Sequence, residues 1–253
     1  MQEKYALELI EKGKRIDGRK FEEFRPIEIK PNVIKNSEGS ADVRFGDTRV
    51  IAGVKLNIGT PYPDTPEEGM LRVGAEFSPL AAPEFESGPP GEDAIELARI
   101  VDRGIRESEC IELKKLCLTP EEKVWCLFVD IHIINHQGNL LDCSALASLV
   151  ALLNTKIPKL EDDKIIRNEF EKPLPVVFKP INITVGKISD KFLIDPRFEE
   201  ENILESKLSI AIRDDDKICS VQKQEKMELS LEDIERMVDI ALVKSKEIRK
   251  LVK

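Results

Sequence analysis

Nowhere in its 253 residues does this chain carry an apolar run approaching the roughly 20 residues that a membrane-crossing helix requires, which excludes such a helix. Cys-x-x-Cys pairs are also missing. The five cysteines, Cys110, Cys117, Cys126, Cys143 and Cys219, are odd in number and widely spaced, which argues against a disulfide framework and against a zinc site. They are expected to be reduced and mostly buried. A basic surplus is absent as well: 39 Lys and Arg stand against 48 Asp and Glu, for a formal net charge of −9. General affinity for nucleic acid rests on basic residues displacing counterions, so any such contact must be local or borrowed from a partner. There are only two histidines. His132 and His136 are spaced i, i+4, but the segment reads as a strand entering a turn with no further ligand close by, and a metal pair is not expected. Ser144 lacks a Gly-x-Ser-x-Gly elbow, which leaves a hydrolase nucleophile unsupported and gives it the role of a helix cap. The first residues mix charge with apolar positions at helical spacing and hold no uninterrupted apolar signal region, so a cytoplasmic protein is expected.

What is present is the makeup of a globular protein, 41% hydrophobic and 34% charged, long enough for one large domain or two packed halves. An opening helix is expected over Gln2 to Lys12 and an exposed strand over Phe24 to Lys30. Ser40 to Phe45 and Thr48 to Leu56 alternate around Gly46-Asp47, the pattern of a tight hairpin. Leu71 to Phe77 alternates again, after a projecting loop, Gly59 to Gly69, whose three prolines forbid regular structure. Val124 to Ile134 reads as a long apolar strand. Asp142 to Asn154 is apolar all round its helical axis and is expected to be the buried central helix. Lys156 to Lys172 is rich in charge and reads as an exposed connector. Strands near Val176 to Lys187, Lys191 to Ile194, Lys207 to Arg213 and Lys217 to Val221 precede a helix from Ser230 to about Leu251, opened by a Ser230/Asp233 capping box. Asp214-Asp215-Asp216 suits the turn between two of these strands. Strands followed by helix, twice over, predict an α+β fold of two similar sheet-and-helix halves, residues 1–155 and 174–253, joined by 156–173.

One segment stands out. In Glu96 to Glu109, Arg99, Arg103 and Arg106 stand at i, i+4 and i+7 and share one narrow sector of a helix, opposite Ala94, Leu97, Ala98, Val101 and Ile105. Like charges at that spacing repel by roughly 0.2–0.5 kcal/mol per pair. Either an anion compensates, or the face is solvated with Glu96 paired to Arg99 and Asp102 to Arg106. A second charged group, Asp195 with Glu199-Glu200-Glu201 and Glu205, reads either as a metal or acid-base site or as a charged loop.

Four stretches together carry a likeness: Arg15-Ile-Asp-Gly-Arg19, Gly39 to Val50, the arginine segment, and Ile181-Asn-Ile-Thr-Val-Gly-Lys187. They resemble the RNase PH family of phosphate-dependent 3′ to 5′ exoribonucleases over nearly the whole chain. Ile-Glu-Leu-Ala-Arg-Ile-Val-Asp-Arg at 95–103 and the opening helix are most similar to the non-catalytic ring subunits of archaeal exosomes. Active members resemble Asp-Gly-Gly-(Ser/Thr)-Arg where this chain has Gln137-Gly138-Asn139-Leu140-Leu141, so a phosphate-binding hydroxyl and guanidinium are replaced by leucines. Asp142 beside them is expected to cap the helix and repel phosphate. Of the two aspartates of active members, Asp195 matches the first and Lys207 stands at the second; Gly88-Pro-Pro-Gly-Glu92 replaces their arginine-rich run. The resemblance therefore implies a subunit with no catalytic residue, metal or cofactor of its own. It would alternate with a catalytic homologue in a hexameric ring, three copies of each, under RNA-binding cap proteins. Arg99 and Arg103, with Arg106, would contact single-stranded RNA entering the partner's active site, and Gly59 to Gly69 with Arg72 would face the channel. An active phosphorolytic ribonuclease and a stand-alone RNA-binding module are the alternatives.

Overall fold

The computed structural model describes residues 2–161 and 164–252. Helix α1 (Gln2–Glu11) turns Ala6 and Ile10 inward at i, i+4, and Ile10 joins Ile188, Leu193 and Leu204 in a small apolar cluster against the second half. The first half is a sheet of β1 (Ile27–Pro31), β2 (Gly39–Phe45), β3 (Thr48–Gly59), β4 (Met70–Phe77), β5 (Cys117–Thr119) and β6 (Lys123–Asn135). Its order is β1-β2-β3-β6-β4 with β5 on β6, antiparallel except for the parallel β4–β6 pair. Alternation decides its faces: Val50, Ala52, Val54 and Leu56 are fully buried while the residues between them are half-buried. Gly46, at φ +57°, makes the β2–β3 turn.

Helices α2 (Glu92–Glu107) and α3 (Leu140–Leu153) cover the apolar face. Helix α3 is buried nearly all round because it also packs on the second sheet, β9 (Ile181–Ile188), β10 (Lys191–Ile194), β11 (Ser206–Ile212) and β12 (Ile218–Gln224), in the order β10-β9-β11-β12. Helix α4 (Phe198–Glu201) is one turn, and α5 (Leu231–Arg249) closes the second half. The α5 capping box is formed: Asp233 N–H donates to Ser230 Oγ at 3.1 Å and Ser230 N–H to Asp233 Oδ2 at 3.0 Å. Asp214 to Asp216 form the β11–β12 turn, with Asp216 at φ +62° and Asp215 paired to Arg213.

Three expectations change. The segment read as an exposed connector is a two-stranded hairpin, β7 (Lys156–Glu161) with β8 (Lys164–Pro173), laced on its surface by Lys159 with Glu161 and Glu169. Ser144 does not cap α3; it lies within the helix, fully buried, and its hydroxyl has no hydrogen-bond partner among the described residues. Asp142 does not cap it either, because its carboxylate turns away to β9, as described below. Among the described residues no helix is long and apolar enough to cross a membrane, and all five cysteines are free.

Candidate functional site

Helix α2 presents its apolar stripe, Ala94, Leu97, Ala98, Val101 and Ile105, to the core and leaves Arg99, Arg103 and Arg106 exposed on the other side. The three arginines are not equivalent. Arg106 is held by Asp102 through two bonds of 3.0 and 2.8 Å and also donates to the Leu71 carbonyl at 2.9 Å. The Asp102 bonds raise its pKa further. Arg103 has only a long bond, 3.4 Å, to Gln222 on β12. Arg99 has no hydrogen-bond or ion-pair partner among the described residues. Glu96, expected to pair with Arg99, instead accepts from Gln224 Nε2 at 3.0 Å. Two cationic groups at i, i+4 are thus open to an external anion, while the third is already neutralised. Arg72 is exposed and lies 5.9 Å over the Phe128 ring.

The second region is the entry to α3. Gln137 to Asn139 run over the start of α4: Gly138 adopts φ +90°, and a side-chain carbon there would lie 2.4 Å from the Pro196 carbonyl. No other residue fits. Asn139 follows in the left-handed region at φ 53°. Its backbone N–H donates to Glu201 Oε2 at 2.9 Å, and the other oxygen of that carboxylate is 3.3 Å from Lys207 Nζ. A negative charge therefore already sits at the positive end of the central helix, and it belongs to the chain itself. Burial alone would lower the Lys207 ammonium, but Glu201 and Glu225 outweigh it and hold the group above the ordinary lysine range. Leu140 is packed into the core and Leu141 lies partly buried beside it, so neither offers a polar atom.

The acidic group is likewise consumed internally. Asp195, fully buried at φ +47°, takes Arg25 on both oxygens, from Nη2 at 2.6 Å and Nε at 2.9 Å, and Arg19 at 3.1 Å. Burial would raise its pKa, but the arginine bonds keep the carboxyl below the usual range. Glu200 forms a fully buried pair with Arg15, and Glu199 lies 3.5 Å from Arg197. Asp142 accepts four bonds, from Asn139 Nδ2, Asn182 Nδ2, and the N–H and hydroxyl of Thr184, at 2.7–3.1 Å. It ties α3 to β9. Burial nevertheless pushes this carboxyl up to about 6. His136 is stacked at 5.6 Å on Phe85, meets Phe198 edge-on, and accepts from Gly138 N–H, while burial lowers its pKa; it is a packing residue. His132 is on β6 with Nδ1 3.4 Å from Glu76. Among the described residues no group of three His, Cys, Asp or Glu is placed to hold a metal ion.

Two members of this site escape sequence reasoning. Arg25, read as part of an exposed strand, also donates to the Gln137 carbonyl at 2.7 Å and the Gly138 carbonyl at 3.1 Å, which makes it the pin between Asp195 and the α3 entry. Glu201 was one of three adjacent glutamates with nothing local to single it out.

The chain matches a known family over most of its length. Residues 23–158 fit the model for domain 1 of the 3′ exoribonuclease family and residues 180–244 fit domain 2. The chain belongs to the RNase PH family. Its relatives in that family include the exosome complex component Rrp42 of Methanopyrus kandleri, 48% identical over 251 residues, covering 98% of this chain and 94% of the relative. Rrp42 of Thermococcus gammatolerans is 46% identical, covering 97% and 92%. Among solved structures, a chain of the Archaeoglobus fulgidus exosome with RNA bound to the active site superposes with a TM-score of 0.94 at 45% identity, covering 100% of this chain and 98% of that one. Rice Rrp46, at 22% identity and a TM-score of 0.73, shares the RNase PH fold.

Proposed function

We propose that this chain is a non-catalytic subunit of an archaeal exosome, a phosphorolytic 3′ to 5′ exoribonuclease complex. It alternates with a catalytic RNase PH homologue in a hexameric ring beneath RNA-binding cap proteins, and it guides single-stranded RNA with Arg99 and Arg103. The observation that carries the inactive part of this reading is the Glu201 carboxylate seated on Asn139 N–H and braced by Lys207, where phosphate would have to bind. Phosphorolysis needs inorganic phosphate as the nucleophile, and a resident carboxylate there repels it. The names of the archaeal relatives support the assignment to an exosome. The open guanidinium groups of Arg99 and Arg103 support the RNA contact, since RNA phosphates are the anions such a ring would meet. Arg106 contributes less because Asp102 already neutralises it.

Purified alone with 3′-tailed RNA and phosphate, the chain is expected to release no nucleoside diphosphate; release by the isolated chain would refute its inactive status. Co-expressed with its catalytic homologue it should elute as a ring that degrades RNA. Arg99→Glu or Arg103→Glu should leave that ring intact and slow degradation by about tenfold or more, the scale of one charged hydrogen bond at roughly 1.5–3 kcal/mol. Arg106→Glu should have a smaller effect. Unchanged degradation by an intact ring carrying Arg99→Glu and Arg103→Glu together would return the stripe to a solvated face.

A further inference from the structure

The N-terminal half of α2 borders a surface of opposite character to its arginines. A cleft of about 980 Å³ is walled by Glu76, Glu84, Glu86, Glu92 and Asp93, and no lysine or arginine among the described residues lines it. Phe77, Glu84, Phe85 and Asp93 also line a second cleft of about 600 Å³, so the two adjoin; the second adds Glu96, Glu201 and Glu225 with Lys207 as its one lysine or arginine among the described residues. Glu84, Glu86, Glu92 and Asp93 are exposed and have no hydrogen-bond or ion-pair partner among the described residues. The walls include a run of rings, with Phe77 and Phe85 4.6 Å apart and Phe85 stacked on His136. Asn139, which lines the second cleft, is 1% exposed and has a side-chain oxygen with no hydrogen-bond partner among the described residues. An orphaned acceptor, unpaired carboxylates and half-buried rings together call for a ligand that donates hydrogen bonds and carries positive charge.

We propose that this acidic, aromatic cleft is a docking site for an arginine-bearing basic segment of a partner protein. Phosphate is repelled from it, so RNA is not its ligand. Arginine suits it better than lysine, because a planar guanidinium stacks on the rings and pairs with carboxylates through two parallel bonds. A protein segment suits it better than a free polyamine, because the rim is apolar: Ile34 lines the cleft at 39% exposure, and Leu80, next to the lining residue Pro79, is 83% exposed. The inference does not depend on the RNA contact proposed for Arg99 and Arg103.

The test uses fluorescence anisotropy with labelled oligo-arginine and oligo-lysine peptides at about 150 mM salt, where distant charges are screened beyond about 8 Å. The full chain should bind oligo-arginine. The triple variant Glu84→Lys/Glu86→Lys/Asp93→Lys should bind it about tenfold or more weakly, as three lost charge pairs imply. A control of equal net charge, Glu228→Lys/Glu232→Lys/Glu235→Lys, should bind within about threefold of the unchanged protein, since those carboxylates lie on and before α5. Phe85→Leu should reduce the preference for arginine over lysine, and thermal melts of each variant confirm folding. Equal loss in the two triple variants would overturn the proposal by reducing it to the overall net charge. So would absence of binding by the unchanged protein, or displacement of the peptide by spermine at the same charge concentration, which would assign the cleft to small cations.

Discussion

Arg25→Met is expected to lower stability by about 3–5 kcal/mol, the range for breaking a buried ion pair from one side. The residue is 8% exposed, and its removal would leave the fully buried Asp195 with only Arg19 and Asn139 as side-chain partners. Two loop carbonyls, those of Gln137 and Gly138, would lose their guanidinium donor at the same time. The acid dependence identifies the cause. In the folded protein Asp195 titrates below the usual range, so its contribution is present at neutral pH and is lost as the pH falls through that range. Without Arg25 burial dominates and its pKa rises, so protonation relieves the variant. The deficit of Arg25→Met, measured by thermal or urea unfolding, should therefore be largest near neutral pH and shrink as the pH falls toward about 4, the ordinary aspartate value. A deficit independent of pH would mean that lost packing, rather than the stranded carboxylate, is responsible.

Asp142→Ala should act in the opposite sense with pH. Four hydrogen bonds would be lost, including one from the buried backbone N–H of Thr184, while Asn139 keeps Asp195 and the Thr184 hydroxyl keeps Ser209. Unmade buried bonds cost about 1–3 kcal/mol each, and removal of a buried charge offsets part of that, for a net loss of about 3 kcal/mol. At roughly 2–4 °C per kcal/mol for a chain of this size, the melting temperature should drop by about 6–12 °C. Here the folded carboxyl is raised to about 6, so its stabilising share is present below the unfolded value and is lost as the pH rises through about 6. The deficit of the alanine variant should consequently be greater near pH 4.5 than near pH 7.5. A deficit that instead grows toward neutral pH would show that the four donors, not burial, set the state of this carboxyl.

These two residues also mark where sequence reading stops. The parts read correctly are governed by neighbours along the chain: the alternation of Val50, Ala52, Val54 and Leu56, the apolar circumference of α3, the Ser230/Asp233 box and the turn at Asp214 to Asp216. Arg25 looks like any arginine in an exposed strand, because Gln137, Gly138 and Asp195, which hold it, lie 112 to 170 residues away. Asp142 occupies the first turn of α3, where an aspartate ordinarily serves the helix; only the approach of β9 redirects it. The 156–173 hairpin was missed because its apolar positions are few and its charges pair across the strands, so it has the composition of a linker. At the candidate site, the lack of any polar side-chain atom at Leu140 and Leu141 was legible from the residues themselves. That the Asn139 N–H is taken by Glu201 was not, since that contact spans 62 residues.

The ion pairs of Arg15 with Glu200 and of Arg19 and Arg25 with Asp195 join the beginning of the chain to residues 170 to 185 positions later. During synthesis on a ribosome at about 5–20 residues per second, these three arginines emerge roughly 10–35 s before their carboxylates. Until then the first sheet can assemble and hold Phe24 and Arg25, but residues 13–23 lack the 194–200 segment they close upon. Truncated nascent chains ending before Asp195 should therefore expose residues 13–23 to protease, and the last quarter of translation should be the step that protects them.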